Sequence, residues 1–104
     1  MIRHCVFIRF KTAVSDAERA SILSDIAALQ PIVPGYLAID IGPNVSPEGL
    51  GKGYTGGFII DFADAAARDT YISHPDHGKA AGRIVAATEG GVDGVFVYDF
   101  EIAG

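Results

Sequence analysis

The run Tyr71-Ile72-Ser73-His74-Pro75-Asp76-His77 places a phenol and two imidazoles close together, and His4 supplies a third imidazole near the start of the chain. These are the side chains that move protons near neutral pH. The residue before a proline avoids the helical region, and proline suits the first turn of a helix. His74 is therefore expected at a junction between two helices, with Pro75 opening the second. His77 then falls in the first turn of that helix, where free N–H groups and the positive dipole end disfavour imidazolium. A neutral imidazole can act as a general base, and Tyr71, one turn earlier, offers a hydroxyl to orient a substrate oxygen or steady an enolate. Such a set suits proton abstraction beside a carbonyl. The same residues also admit a plainer reading, with His77 on the surface and Tyr71 a core aromatic whose hydroxyl reaches the rim.

The elements that must position these groups follow from periodicity. Residues 2–11 alternate, with Ile2, His4, Val6, Ile8 and Phe10 on one face, so a strand carries His4 among apolar neighbours. Ser15 and Glu18 stand at capping-box spacing, and Ile22, Leu23, Ile26 and Leu29 predict a helix over 16–30. Tyr36 to Ile41 reads as a second strand, with Tyr36, Ala38 and Asp40 opposite Leu37, Ile39 and Ile41. The Gly- and Pro-rich stretch 45–53 reads as a mobile loop, with Lys52 placed to gate a pocket. A third strand spans 54–63, Asp64 caps a short helix through Ile72, a further helix runs from Pro75 to Thr88, and a last strand covers 92–102.

The order β-α-β, β-α-β predicts an α+β, ferredoxin-like βαββαβ domain with a four-stranded antiparallel sheet, occupying residues 1–104 as a single unit. Helices cover one face of such a sheet. Phe7, Phe96, Tyr98 and Phe100 lie on the other, which predicts a homodimer formed through the open sheet face. Cys5 shares that face and is expected to pack in the interface; as the sole cysteine it forms no internal disulfide.

Charge and composition exclude several classes. With eight scattered Lys and Arg and a net charge of −5, no phosphate-tracking surface is expected, so nucleic acid is not a predicted partner. No stretch approaches the roughly 20 apolar residues of a membrane helix. The alternating N-terminus lacks a signal-peptide block, and a cytoplasmic protein is expected. His74 and His77 are three apart across a proline, unlike a helical zinc pair, so neither metal nor cofactor is predicted. The loop Ser46-Pro47-Glu48-Gly49-Leu50-Gly51-Lys52-Gly53 lacks the first glycine and the hydroxyl residue of a phosphate-binding P-loop.

Taken together, the His4-to-Lys11 strand, Pro34-Gly35, Gly53-Tyr54-Thr55, the Y-x-x-H-P-x-H run and the closing Val97-Tyr98-Asp99-Phe100 resemble the stress-responsive A/B barrel (Dabb) family over essentially the whole chain. The resemblance implies a dimeric α+β barrel with a small-molecule pocket between sheet and helices in each protomer. In a plant polyketide cyclase of that family, Tyr71 and His77 match the working pair, and His4 and His74 match pocket-lining and motif histidines. That cyclase has a histidine just after the Tyr-Thr of its third strand, where Gly56 stands here, so the resemblance does not extend to the cyclase reaction itself. Three functions follow as expectations: cofactor-free acid/base chemistry of cyclase, lyase or isomerase type, ligand binding without chemistry, and, on fold analogy alone, a cofactor-free monooxygenase.

Overall fold

The computed structural model describes residues 1–103. Strand β1 (Ile2–Ile8) leads to helix α1 (Asp16–Ala27), strands β2 (Tyr36–Pro43) and β3 (Gly56–Phe62), helices α2 (Ala65–Ser73) and α3 (Pro75–Ala86), and strand β4 (Val95–Glu101). The sheet is antiparallel in the order β2-β3-β1-β4, which is the ferredoxin-like arrangement. All three helices cover one face.

Local chemistry sets the helix starts. The Ser15 hydroxyl accepts from the Glu18 amide at 3.1 Å, and the Asp64 carboxylate accepts from the Ala67 amide at 2.8 Å, each satisfying an amide that the helix leaves free. Gly35 has φ +85°, and a Cβ there would stand 2.7 Å from the Ala67 methyl. A side chain at 35 would push α2 away from the sheet, so glycine lets the helix that carries Tyr71 seat closely.

The core lies between the helices and the inner sheet face: Ile8, Ile60 and Phe62 from the strands, Ile26 and Leu29 from the first helical segment, and Ile84 from α3. Full burial of each such side chain contributes about 1.5–3 kcal/mol. Several expected boundaries move. β1 stops at Ile8, and Phe10 instead forms an isolated bridge with Thr88. α1 ends at Ala27, with turns carrying the chain on through Leu29, Gln30 and Val33 by hydrogen bonds from their amides. β2 runs on to Pro43, β3 begins at Gly56, and a 3-10 turn over Gly91–Gly94 replaces the first part of the last strand.

One difference changes the faces. The register between β2 and β3 shifts between Tyr36 and Ala38, so Leu37 is extruded and exposed. A bulged residue reverses the alternation that follows it. Tyr36, expected opposite Ile39, is instead paired with Phe62 and points inward with it, 5.4 Å between ring centroids.

Candidate functional site

Tyr71 is placed by α2. Ala67 and Tyr71, four residues apart, share the face turned to the sheet, and Tyr71 is wholly buried. Its ring lies 5.1 Å from Phe62, 5.7 Å from Tyr36, 5.8 Å from His4 and 4.6 Å from His77, centroid to centroid. The Tyr36 hydroxyl donates to the Ile26 carbonyl at 3.0 Å, but the Tyr71 hydroxyl is buried without a hydrogen-bond partner. An orphaned buried hydroxyl costs about 1–3 kcal/mol, so native folds rarely leave one without a reason. Burial, reinforced by nearby Tyr36, raises the Tyr71 phenol well above its ordinary range. It therefore stays an O–H donor at neutral pH.

His77 meets Tyr71 from α3. The His-Pro junction forms as expected: His74 is extended, Pro75 opens the helix, and the His74 Nδ1 accepts from the Asp76 amide at 3.0 Å. His74 is thus the N-cap of α3, half-buried, with one ring nitrogen taken by the backbone. His77, also half-buried, titrates below the ordinary histidine range. Burial is the main cause, His4 adds to it, and a hydrogen bond to the Ile72 backbone opposes it. A neutral imidazole at pH 7 follows.

His4 enters from the sheet. It sits between Ile60 of β3 and Asp99 of β4 in register, and only 5% of it is exposed. Its Nδ1 stands 2.6 Å from Asp99 Oδ1, while Asp99 Oδ2 accepts from Arg68 Nη1 at 3.0 Å. A carboxylate only accepts, so the Nδ1 of His4 carries a proton and donates it to Asp99. The structure therefore brings His4, Tyr71 and His77 into one aromatic cluster, with His74 at its edge as a helix cap.

Asp99, Arg68 and Tyr36 were not singled out by sequence reasoning. Asp99 had a signal: it shares the alternation of Val95 and Val97 and is a carboxylate on an otherwise inward-facing apolar set, directly across from His4. Arg68 had none, because α2 shows little apolar patterning by which to orient it.

A concavity lies elsewhere, on the face away from these residues. About 840 Å³ opens on the other sheet face, between Phe7, Ile59 and Phe96 of the strands and Leu50, Lys52 and Tyr54 of the long loop. Lys52 thus borders the open face and not the Tyr71–His77 cluster, because the loop folds over the side of the sheet opposite the helices. The base of this loop is tied by the Asn44 amide donating to the Thr55 carbonyl at 2.9 Å. Among the described residues, no three His, Cys, Asp or Glu side chains gather as a metal site, and no helix is long and apolar enough to cross a membrane.

Comparison with known proteins agrees with this architecture. The chain is 30% identical over 100 residues to the stress-response A/B barrel domain-containing protein HS1 of Arabidopsis thaliana, covering 96% of this chain and 88% of that protein. It is 24% identical over 76 residues to olivetolic acid cyclase of Cannabis sativa, covering 73% and 75%. A dimeric ferredoxin-like protein of unknown function from Jannaschia sp. CCS1 superposes with a TM-score of 0.89 at 32% identity, covering 97% of this chain and 98% of that one. The hydroxynitrile lyase of Passiflora edulis superposes with a TM-score of 0.84 at 25% identity, covering 98% and 93%. The model of the stress responsive A/B barrel domain matches residues 2–102, and the chain belongs to that family.

Proposed function

We propose that the cluster of Tyr71, His77 and His4 performs cofactor-free acid/base chemistry on a small carbonyl compound, of the cyclase, lyase or isomerase type. The observation that carries this reading is the buried Tyr71 hydroxyl without a partner, set against a neutral His77. A carbonyl oxygen would supply the missing acceptor. His77 takes the proton from the adjacent carbon and becomes imidazolium, while the Tyr71 O–H holds the developing enolate oxygen. His4 borders the substrate from the sheet. His74, by capping α3, sets where that helix starts and so where His77 stands. The resting site is closed, since Tyr71 and His4 are buried; half-buried His77 marks its way in. That relatives of this fold include a lyase and a cyclase supports the reaction class.

The chain also pairs, in this reading, with a second copy through the open sheet face. Phe7, Phe96, Tyr98 and Phe100 lie there uncovered, and the similar ferredoxin-like protein from Jannaschia sp. CCS1 is dimeric. One charged pair on that face is already matched, as Arg3 donates to both oxygens of Asp61 at 2.9 and 3.2 Å.

Hydrogen exchange at carbon tests the chemistry. A panel of small ketones and aldehydes in D2O is followed by NMR with the wild-type protein and with His77→Ala. Wild type is expected to exchange the α-hydrogens of at least one member, and His77→Ala to slow that by about 10²–10⁴-fold with its circular dichroism unchanged. Equal exchange by both proteins removes His77 from the mechanism. Saturable binding without exchange makes this a binding module, and oxygen uptake with a quinol makes it an oxygenase.

A further inference from the structure

Asp99 is held from two sides. Its Oδ1 meets the His4 Nδ1 at 2.6 Å, and its Oδ2 accepts from Arg68 Nη1 at 3.0 Å. The three groups come from β1, β4 and α2, so the arrangement exists only in the folded chain. Arg68 is itself fixed: its Nε donates to Asp69 Oδ1 at 3.0 Å, so its guanidinium spans two carboxylates. Solvent exposure falls along the row, from 25% for the Arg68 side chain to 21% for Asp99 and 6% for His4. The relay thus leads from the surface of α2 inward to the ring that touches Tyr71.

We propose that Arg68 is a positioning residue of this site: by gripping the outer oxygen of Asp99, it keeps the inner oxygen on His4 and so holds His4 as the Nδ1–H tautomer, with Nε2 free to accept a proton or a substrate hydrogen bond. The physical argument is geometric. A terminal carboxylate rotates about a broad torsion, and a lone hydrogen bond to an imidazole leaves that torsion loosely set. A guanidinium on the second oxygen closes the rotation and gives a charge-assisted, directional contact. An imidazole whose partner is fixed is fixed in tautomer and ring orientation as well. The other polar groups facing His4 are Tyr71 from α2 and His77 from α3. Neither offers a carboxylate, so the tautomer depends on Asp99 and on what holds it. The role in catalysis rests on the acid/base reading above; the tautomer does not.

The test separates the two. In 15N-labelled protein, the ring nitrogen shifts of His4 report its tautomer directly. Wild type is expected to show a single Nδ1–H form with a slowly exchanging proton. Arg68→Ala is expected to populate the Nε2–H form and to speed exchange of the ring proton at least tenfold; Arg68→Lys, which restores charge without the fork, recovers part of both. Arg68 is partly exposed on a helix, so both variants are expected to fold, and the amide spectrum verifies this. Asp99→Asn, which places an amide against Nδ1, serves as the positive control for tautomer loss. If wild type exchanges a carbonyl substrate, Arg68→Ala should lower kcat about 10-fold with KM nearly constant, as loss of a group that orients an active ligand does. A His4 tautomer and proton exchange rate unchanged in Arg68→Ala overturn the proposal, whatever the activity. A shifted tautomer in a protein without turnover sustains it and removes the acid/base reading instead.

Discussion

The two faces of the one sheet differ in what they do with polar groups and with large apolar side chains. On the inner face the helices cover most apolar side chains, edge-strand Val97 being exposed, and polar groups have been admitted among them: His4, Asp99, and the hydroxyls of Tyr36 and Tyr71. All but the last are paired. On the open face the large apolar groups lie uncovered, with Phe7, Phe96, Tyr98 and Phe100 each 38–54% exposed, while the charged pair Arg3–Asp61 is self-satisfied. One face therefore lacks a hydrogen-bond acceptor, and the other lacks a surface. In the proposed reading, a small molecule would supply the first and a second copy the second.

This contrast can be broken at several points. The largest effect is expected on the open face. Phe7→Asp places a charge where the partner sheet would cover it, and burying an unpaired charge costs about 3–5 kcal/mol. The dimer should fall apart at micromolar concentration by light scattering, while the circular dichroism of the protomer holds. A wild-type protein that is already monomeric there rejects pairing through this face.

Next comes the inner face. Tyr71→Phe removes the orphaned hydroxyl and should stabilise the substrate-free protein by about 1–3 kcal/mol, read from the urea midpoint at constant slope. The same variant should lose α-hydrogen exchange. Stability gained with activity lost would identify a group kept for function at a cost to folding. A destabilised Tyr71→Phe would mean the hydroxyl has a partner in solution, and the contrast between the faces would weaken.

The smallest effect is in pH dependence. His77 titrates lower in the folded chain than in the unfolded one, so the unfolded state binds its proton first. Its contribution to stability is complete above the unfolded histidine pKa, about 6.5, and is lost as pH falls from there through the folded value. Urea midpoints should therefore decline on acidification below about 6.5, and His77→Gln should flatten part of that decline. An identical slope in the variant would place His77 in solvent.

Much of the site's placement was legible in the residues themselves. His-Pro predicted the break between α2 and α3, and the cap and first turn that follow from it put His77 where the structure has it. Alternation put His4 on the helix-covered face. Tyr36 was misplaced because a bulge at Leu37 has no local signature: it is decided by which strand β2 pairs with. Lys52 was expected to gate the pocket between sheet and helices, and instead it lines the concavity on the open face, a placement that depends on how the loop packs over the sheet and not on its own residues.

By itself, then, the sequence determined the elements, the helix caps, the inward parity of His4 and the apolar character of both sheet faces. These depend on neighbours within a few residues, and chain periodicity encodes them. Only the tertiary structure decided that Asp99 reaches His4 across 95 positions of chain and Arg68 reaches Asp99 across 31, that Tyr71 is left without a partner, and that Tyr36 turns inward. Those contacts arise from strand order and register, which set distances between residues far apart in the chain and leave no periodic trace within any one segment.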